Sequence, residues 1–304
     1  MRLVSLGSSG RLEAAILVHG SRHVRVDALN AAGGTRWPRS VGGLVCRGLV
    51  PALAAYVRDN AALLARLAEP TDAARWGPLF TPRGKLWGIG LNYAAHAQDL
   101  GAARPDEPAS FLKPSDAVVA PGAGIRLPAA SARVTAEAEL GLVFGREARD
   151  VSAAEALDYV AGAVAVLDQT AEDILQRNPR FLTRAKSFDT FLSFGPVLAT
   201  LEEIGPLESV RVATVLNGRT ERENTVANML FGPRELVAFH SRVFAWRPGD
   251  LLYTGTPGAV VLKPGDVVEA HVGDLPPLVQ PVCAGPGGPT GTDSGGPNRS
   301  PGGS

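Results

Sequence analysis

The chain has 304 residues, 45% of them hydrophobic and 20% charged, which places it with globular proteins and away from disordered chains. Thirty basic and thirty acidic side chains cancel to a formal net charge of +0, so no broad field draws the chain to nucleic acid or to an anionic membrane. The only cysteines, Cys46 and Cys283, are far apart; they rule out a Cys-based zinc site and argue against a disulfide framework.

No leader-like segment or spanning apolar run is visible, so the expected setting is soluble and cytoplasmic. Residues 1–75 are expected to form a small N-terminal subdomain. Within it AAILV (14–18) and HVRV (23–26) read as short strands, VPALAAYVRDNAALLARL (50–67) as a helix, and EPTDAARWGP (69–78) as a linker. The main domain is placed at 81–282. GKLWGIGL (84–91) reads as a buried strand entering a short helix at about 93–100. AEAELGLVF (136–144) alternates with period two, setting Glu137, Glu139, Gly141 and Val143 on one face and Ala138, Leu140, Leu142 and Phe144 on the other. Ser152 and Glu155 form a capping box for a helix to about Tyr159.

AGAVAVL (161–167) reads as a buried strand ending at Asp168, and the run from Thr170 to Asp173 suits the cap of another helix. VRVATVL (210–216) enters a tight turn at Asn217-Gly218. LLYT (251–254) and VVEAHV (267–272) are strands flanked by Pro-Gly-Asp turns. Strands outnumber the short helices, which predicts an α+β protein that is mainly β. From Ala284 to Ser304 almost no apolar side chain occurs, and a disordered Gly/Pro-rich tail is expected there.

Several residues stand out chemically. Glu137 and Glu139 share a strand face about 7 Å apart at Cα. On a solvated face that is ordinary; the alternative is that a divalent cation lies between the carboxylates and relieves their repulsion. Asp168 ends an apolar run, where a charge needs a partner. Three carboxylates suit a hard cation, Mg²⁺ or Mn²⁺, better than zinc. Lys186 reads either as a solvated side chain or as the cationic member of that cluster. His96 and Asp99 share a helix face and make either a surface pair or a general base with its orienting acid. The stretch from Thr254 to Pro257 is either a strand-end turn or a site of backbone and hydroxyl donors for a substrate oxyanion.

Six segments, GIGLNYAAHAQDLG, FLKPSDAVVAPGAGIRLP, AEAELGLVFGREARDVSAAEALDYVAG, AKSFDTFLSFGP, the Asn217-Gly218 turn and LLYTGTPGAV, occur in the order seen in the fumarylacetoacetate hydrolase family. The chain resembles that family over roughly residues 84–275. The resemblance implies a mixed β-roll wrapped around the active site, usually in a homodimer. It implies Glu137, Glu139 and Asp168 as metal ligands, with Mg²⁺ the expected ion and Mn²⁺ or Ca²⁺ the alternatives. Lys186 corresponds to the lysine beside the metal, and His96 with Asp99 to the dyad on a lid helix, where smaller members usually carry Glu at the second position. Thr256, with Gly255 and Gln176, takes the substrate-contacting positions. Two departures bear on substrate: Glu172 stands where relatives carry an arginine, and Arg222 where many carry glutamine.

The reaction so implied is metal-dependent carbon–carbon cleavage of a 2-oxo or β-diketo acid such as an acylpyruvate. Decarboxylation, isomerisation or hydration at the same site is the alternative. A non-catalytic protein that binds a small acid, and a biosynthetic ring-forming enzyme, are the further readings.

Overall fold

In a computed structural model of the chain the described residues are 1–8, 11–18, 21–72, 76–82, 84–94 and 105–286. Strands β1 (Arg2–Ser8), β2 (Arg11–Val18), β3 (Arg22–Arg25) and β4 (Glu69–Pro70) come first, and helices Val26–Gly33, Val41–Cys46, Val50–Asp59 and Ala61–Leu67 lie between β3 and β4. Then come β5 (Leu86–Gly90), β6 (Ala109–Lys113), β7 (Ile125–Leu127) and two long strands, β8 (Val134–Phe144) and β9 (Val160–Ala171). The remaining strands are β10 (Leu192–Phe194), β11 (Val197–Ala199), β12 (Arg211–Leu216), β13 (Arg219–Thr225), β14 (Leu251–Tyr253), β15 (Val260–Val261), β16 (Val267–Val272) and β17 (Leu278–Ala284). The expected α+β, mainly β class is what the chain adopts.

Two sheets result. The larger runs β4-β3-β2-β1-β11-β9-β8-β14-β5-β6, with β10 added on β9 and β15 on β8; the smaller runs β13-β12-β16-β17-β7. β8 and β9 pair antiparallel along nearly their whole length, and every residue of both is buried. The period-two alternation in β8 therefore separates two cores rather than core from solvent. Ala136, Ala138, Leu140 and Leu142 pack with Val212, Val268, Ala270 and Val272 of the smaller sheet. On the opposite face Val143 packs with Val164, Val166 and Tyr253, in a core that also takes Leu29, Leu44 and Leu53 of the N-terminal helices. Covering both faces of a sheet removes apolar area from water twice over, at about 1.5–3 kcal/mol for each large aliphatic side chain.

Several local expectations change. The 50–67 helix breaks at Asn60, whose side chain donates to the carbonyl of Tyr56. Glu69 and Pro70, read as linker, pair with β3. β9 continues past Asp168 to Ala171, so Thr170 lies opposite Thr135 in the ladder; the residue preceding the helix Glu172–Arg177 is Ala171, without a side-chain cap. Ser152 and Glu155 do bond reciprocally, but the turn they open is the 3₁₀ segment Ala156–Tyr159. Asn217 and Gly218 both have positive φ, 51° and 78°, as a two-residue hairpin turn requires. Most of the helix expected at 93–100 and of the Gly/Pro-rich tail lies outside the described residues. Among the described residues no helix is long and apolar enough to cross a membrane.

Candidate metal centre and active site

The β8–β9 ladder sets Glu137 directly opposite Asp168, and Glu139 follows two residues along the same face of β8. One carboxylate oxygen from each of the three lies within 4.8 Å of the others. All are buried: Glu137 is 8%, Glu139 1% and Asp168 0% exposed, which removes the solvated-face reading.

Two lysines meet this cluster. Lys186 closes the short helix Leu182–Lys186, and its Nζ lies 2.8 Å from Glu137 Oε2 and 2.6 Å from Asp168 Oδ2, over the ring of Phe111. Its solvated reading is thereby excluded as well. Lys113 comes from the end of β6. Its Nζ pairs with the other Asp168 oxygen, Oδ1, and donates to the carbonyls of Gln169, at 2.9 Å, and Phe191. Three carboxylates and two ammonium groups share one buried volume.

The electrostatics follow from that crowding. Burial raises the Glu139 carboxyl well above the ordinary range, and the charges of Asp168 and Glu137 add to the rise; Lys186 and the Gly255 N–H oppose it. Burial brings Lys113 down to about 8, with Lys186 adding to the fall and Asp168 opposing it. Burial also acts against the Lys186 charge, but Asp168 and Glu137 outweigh it and hold this ammonium above its usual value. Tyr93 and Tyr253 are raised, first by burial and then by the neighbouring carboxylates. Their hydroxyls are buried and lack a hydrogen-bond partner among the described residues.

The loop after β14 supports Glu139. Gly255 donates its N–H to Glu139 Oε2, and it must be glycine: its φ is +94°, and a Cβ there would sit 2.8 Å from the Cβ of Asn92. Asn92 in turn donates to the carbonyls of Thr254 and Phe231 and accepts from the Phe231 N–H. Thr256 is buried, and its hydroxyl donates to the Gly258 carbonyl and accepts from the Gly258 N–H.

The structure thus brings Glu137, Glu139, Asp168 and Lys186 together, with Gly255 bonded to the cluster. It gives Gln176 a different contact: the side chain is exposed, and Nε2 donates to Glu172 Oε1. Glu172 is also paired with Arg133. Arg222 lies against Gly258, in the loop that carries Thr256. His96 and Asp99 lie outside the described residues. Sequence reasoning missed Lys113, Asn92 and the two tyrosines. One signal was available for Lys113: the chain has only four lysines among its thirty basic residues, so each lysine is unusual.

The donor set fits a hard dication. Carboxylate oxygens are the preferred ligands of such ions, and bond lengths of about 2.0–2.6 Å across Mg²⁺ and Ca²⁺ place ligand oxygens about 2.8–5.2 Å apart. The three carboxylate oxygens, all within 4.8 Å of one another, are close enough to meet one ion. The two ammonium groups leave one of the three formal carboxylate charges unbalanced, in a medium that screens poorly.

Residues 85–283 match the family model described as fumarylacetoacetate (FAA) hydrolase C-terminal. The mitochondrial oxaloacetate tautomerase Fahd2a of Rattus norvegicus is 33% identical over 202 residues, which cover 64% of this chain and 64% of the rat protein. The crystal structure of a 5-carboxymethyl-2-hydroxymuconate delta-isomerase from Mycobacterium smegmatis superposes with a TM-score of 0.72 at 27% identity, covering 94% of this chain and 100% of that one. A fumarylpyruvate hydrolase from Pseudomonas aeruginosa, solved with Mn²⁺ and pyruvate, superposes with a TM-score of 0.62 at 28% identity, covering 66% and 90%. With the matched span taking in both central strands and the acidic cluster between them, the chain belongs to the fumarylacetoacetate hydrolase family.

Proposed function

We propose that the protein is a divalent-metal-dependent enzyme acting on a 2-oxo or β-diketo acid, with hydrolytic cleavage of a carbon–carbon bond in an acylpyruvate-type substrate as its reaction. The convergence of three buried carboxylates from two paired strands carries this reading. The Mn²⁺ and pyruvate held by the Pseudomonas aeruginosa relative support it.

Glu137, Glu139 and Asp168 would hold the ion, Mg²⁺ in first place and Mn²⁺ or Ca²⁺ as alternatives. When bound, it supplies a Lewis acid for the 2-oxo carboxylate end of the substrate. Lys186 places an ammonium at the same point, where it offsets negative charge left on the pyruvyl fragment as the bond breaks. His96, oriented by Asp99, takes a proton from the water that attacks the distal carbonyl. That carbon leaves as a carboxylic acid, and the electron pair of the broken bond stays on the pyruvyl carbon until it is protonated. Thr256 fixes the substrate through its buried loop. Phe111, Tyr93 and Tyr253 keep bulk water from the cluster.

A second reading uses the same residues without water attack: proton transfer at C3 of a 2-oxo acid, giving tautomerase or isomerase chemistry. The similarity to the rat tautomerase and the mycobacterial isomerase favours it. One experiment tests both. Protein stripped with a chelator is assayed on an acylpyruvate and on a panel of 2-oxo acids, and Mg²⁺ is then restored. Turnover should vanish and return; full activity in the stripped protein refutes the metal-dependent reading.

A further inference from the structure

Only four lysines occur in the chain, Lys85, Lys113, Lys186 and Lys263, and two of them converge on one carboxylate. Asp168 holds Lys113 on Oδ1 and Lys186 on Oδ2. The two ammonium groups are moored differently. Lys113 Nζ also donates to the carbonyls of Gln169 and Phe191, and its side chain has no exposed surface. If it left, two buried carbonyls would lose this donor. Lys186 Nζ binds only the carboxylate oxygens of Glu137 and Asp168 among the described residues, with the face of Phe111 at 4.7 Å. It sits at the end of a five-residue helix and keeps 8% of its side chain exposed.

We propose that Lys186 is a resident counter-cation of the carboxylate cluster, which an arriving dication displaces from Glu137 and Asp168 while Lys113 stays in place. The inference rests on the metal-centre reading above and adds to it the state of the site before the ion arrives. An ammonium and a dication drawn to the same pair of carboxylates in a buried site repel each other strongly, so the two compete for those oxygens. The five side chains carry three negative and two positive formal charges, so the metal-free cluster is close to neutral. Once the ion is seated the sum becomes positive, and Lys186 is free to turn its donors to an anionic substrate. Metal binding therefore precedes and prepares the binding of the acid. Lys186 acts here as a competitor of the ion, apart from its contact with substrate later.

The test compares metal-free wild type with Lys186→Met in Mn²⁺ titrations by calorimetry, with Lys263→Met, at an exposed lysine, as the control. Removing the competitor should lower the dissociation constant at least about tenfold, and the control should leave it unchanged. An unchanged or larger constant for Lys186→Met overturns the inference while leaving the metal centre standing. If neither wild type nor variant binds Mn²⁺, the metal-centre reading itself falls, and this inference with it. Should Lys186→Met fail to fold, the wild type supplies the second measurement. In ¹⁵N spectra of the four lysine ammonium groups, saturating Mg²⁺ should expose the Lys186 protons to solvent exchange and leave those of Lys113 protected. Continued protection of Lys186 overturns the inference.

Discussion

Glu137 and Asp168 face each other across β8 and β9, and a single ammonium, that of Lys186, touches both. Directly opposed acids destabilise an antiparallel pair, so here the ladder places charge where only a cation makes it tolerable. The site is thus built on the two long, fully buried central strands rather than on loops, and the loop residues Asn92 and Gly255 support it from outside.

Glu139 should make the metal-free protein sensitive to pH. Its folded pKa is raised, first by burial and then by Asp168 and Glu137, so the folded state holds the proton more tightly than the unfolded chain does. Stability from this group is therefore present at low pH and is lost as pH rises from the ordinary carboxyl range through the raised value. In thermal melts of stripped protein, wild type should lose Tm across that rise, whereas Glu139→Gln should stay level. The same variant should lose Mn²⁺ binding in calorimetry.

Lys113→Met removes one partner of a buried ion pair and leaves Asp168 Oδ1 and the carbonyls of Gln169 and Phe191 facing a methyl group. Breaking such a pair costs about 3–5 kcal/mol. Urea denaturation should show a loss of that size; a loss below about 1 kcal/mol would mean that the pair is not structural.

Asn92→Ala deletes three hydrogen bonds that fasten the end of β14 to the segment around Phe231. Leaving those groups unpaired should cost about 2–3 kcal/mol. Because Gly255, next to Thr254, donates to Glu139, turnover should also fall with metal present, by about tenfold or more. Normal turnover would show that the loop does not set the carboxylate.

Glu172 is neutralised by Arg133 in a partly exposed pair, with the Gln176 amide on its other oxygen. Glu172→Ala should therefore change stability by less than about 1 kcal/mol. Glu172→Arg should raise kcat/KM for acids with a distal carboxylate relative to acids with a neutral acyl end, by about tenfold, in steady-state assays. An unchanged preference would take Glu172 out of substrate selection.

Much of this was legible in the sequence, and the gaps have physical causes. Period-two alternation in 136–144 was enough to put Glu137 and Glu139 on one face. It was not enough to show that both faces are buried, because the covers come from 26–67 on one side and 211–284 on the other. A local pattern cannot distinguish a half-solvated strand from one enclosed by distant segments. Lys113 was missed because its meaning lies in the carbonyls of residues 56 and 78 positions away. Gln176 is the opposite case. It lies four residues after Glu172 on one helix, a spacing at which side chains meet, so its bond to that acid was readable locally.

The two unlike faces of β8 also bear on how the chain finds its fold. A slip of one residue against β9 would swing Glu137 and Glu139 into the aliphatic layer beneath the smaller sheet and leave alanine and leucine beside the ammonium groups. Each misplaced carboxylate would be stranded without a counter-charge, at a cost of several kcal/mol. The buried acids of β8 thereby proofread its central strand pairing, and replacing all of them with apolar residues would remove that check.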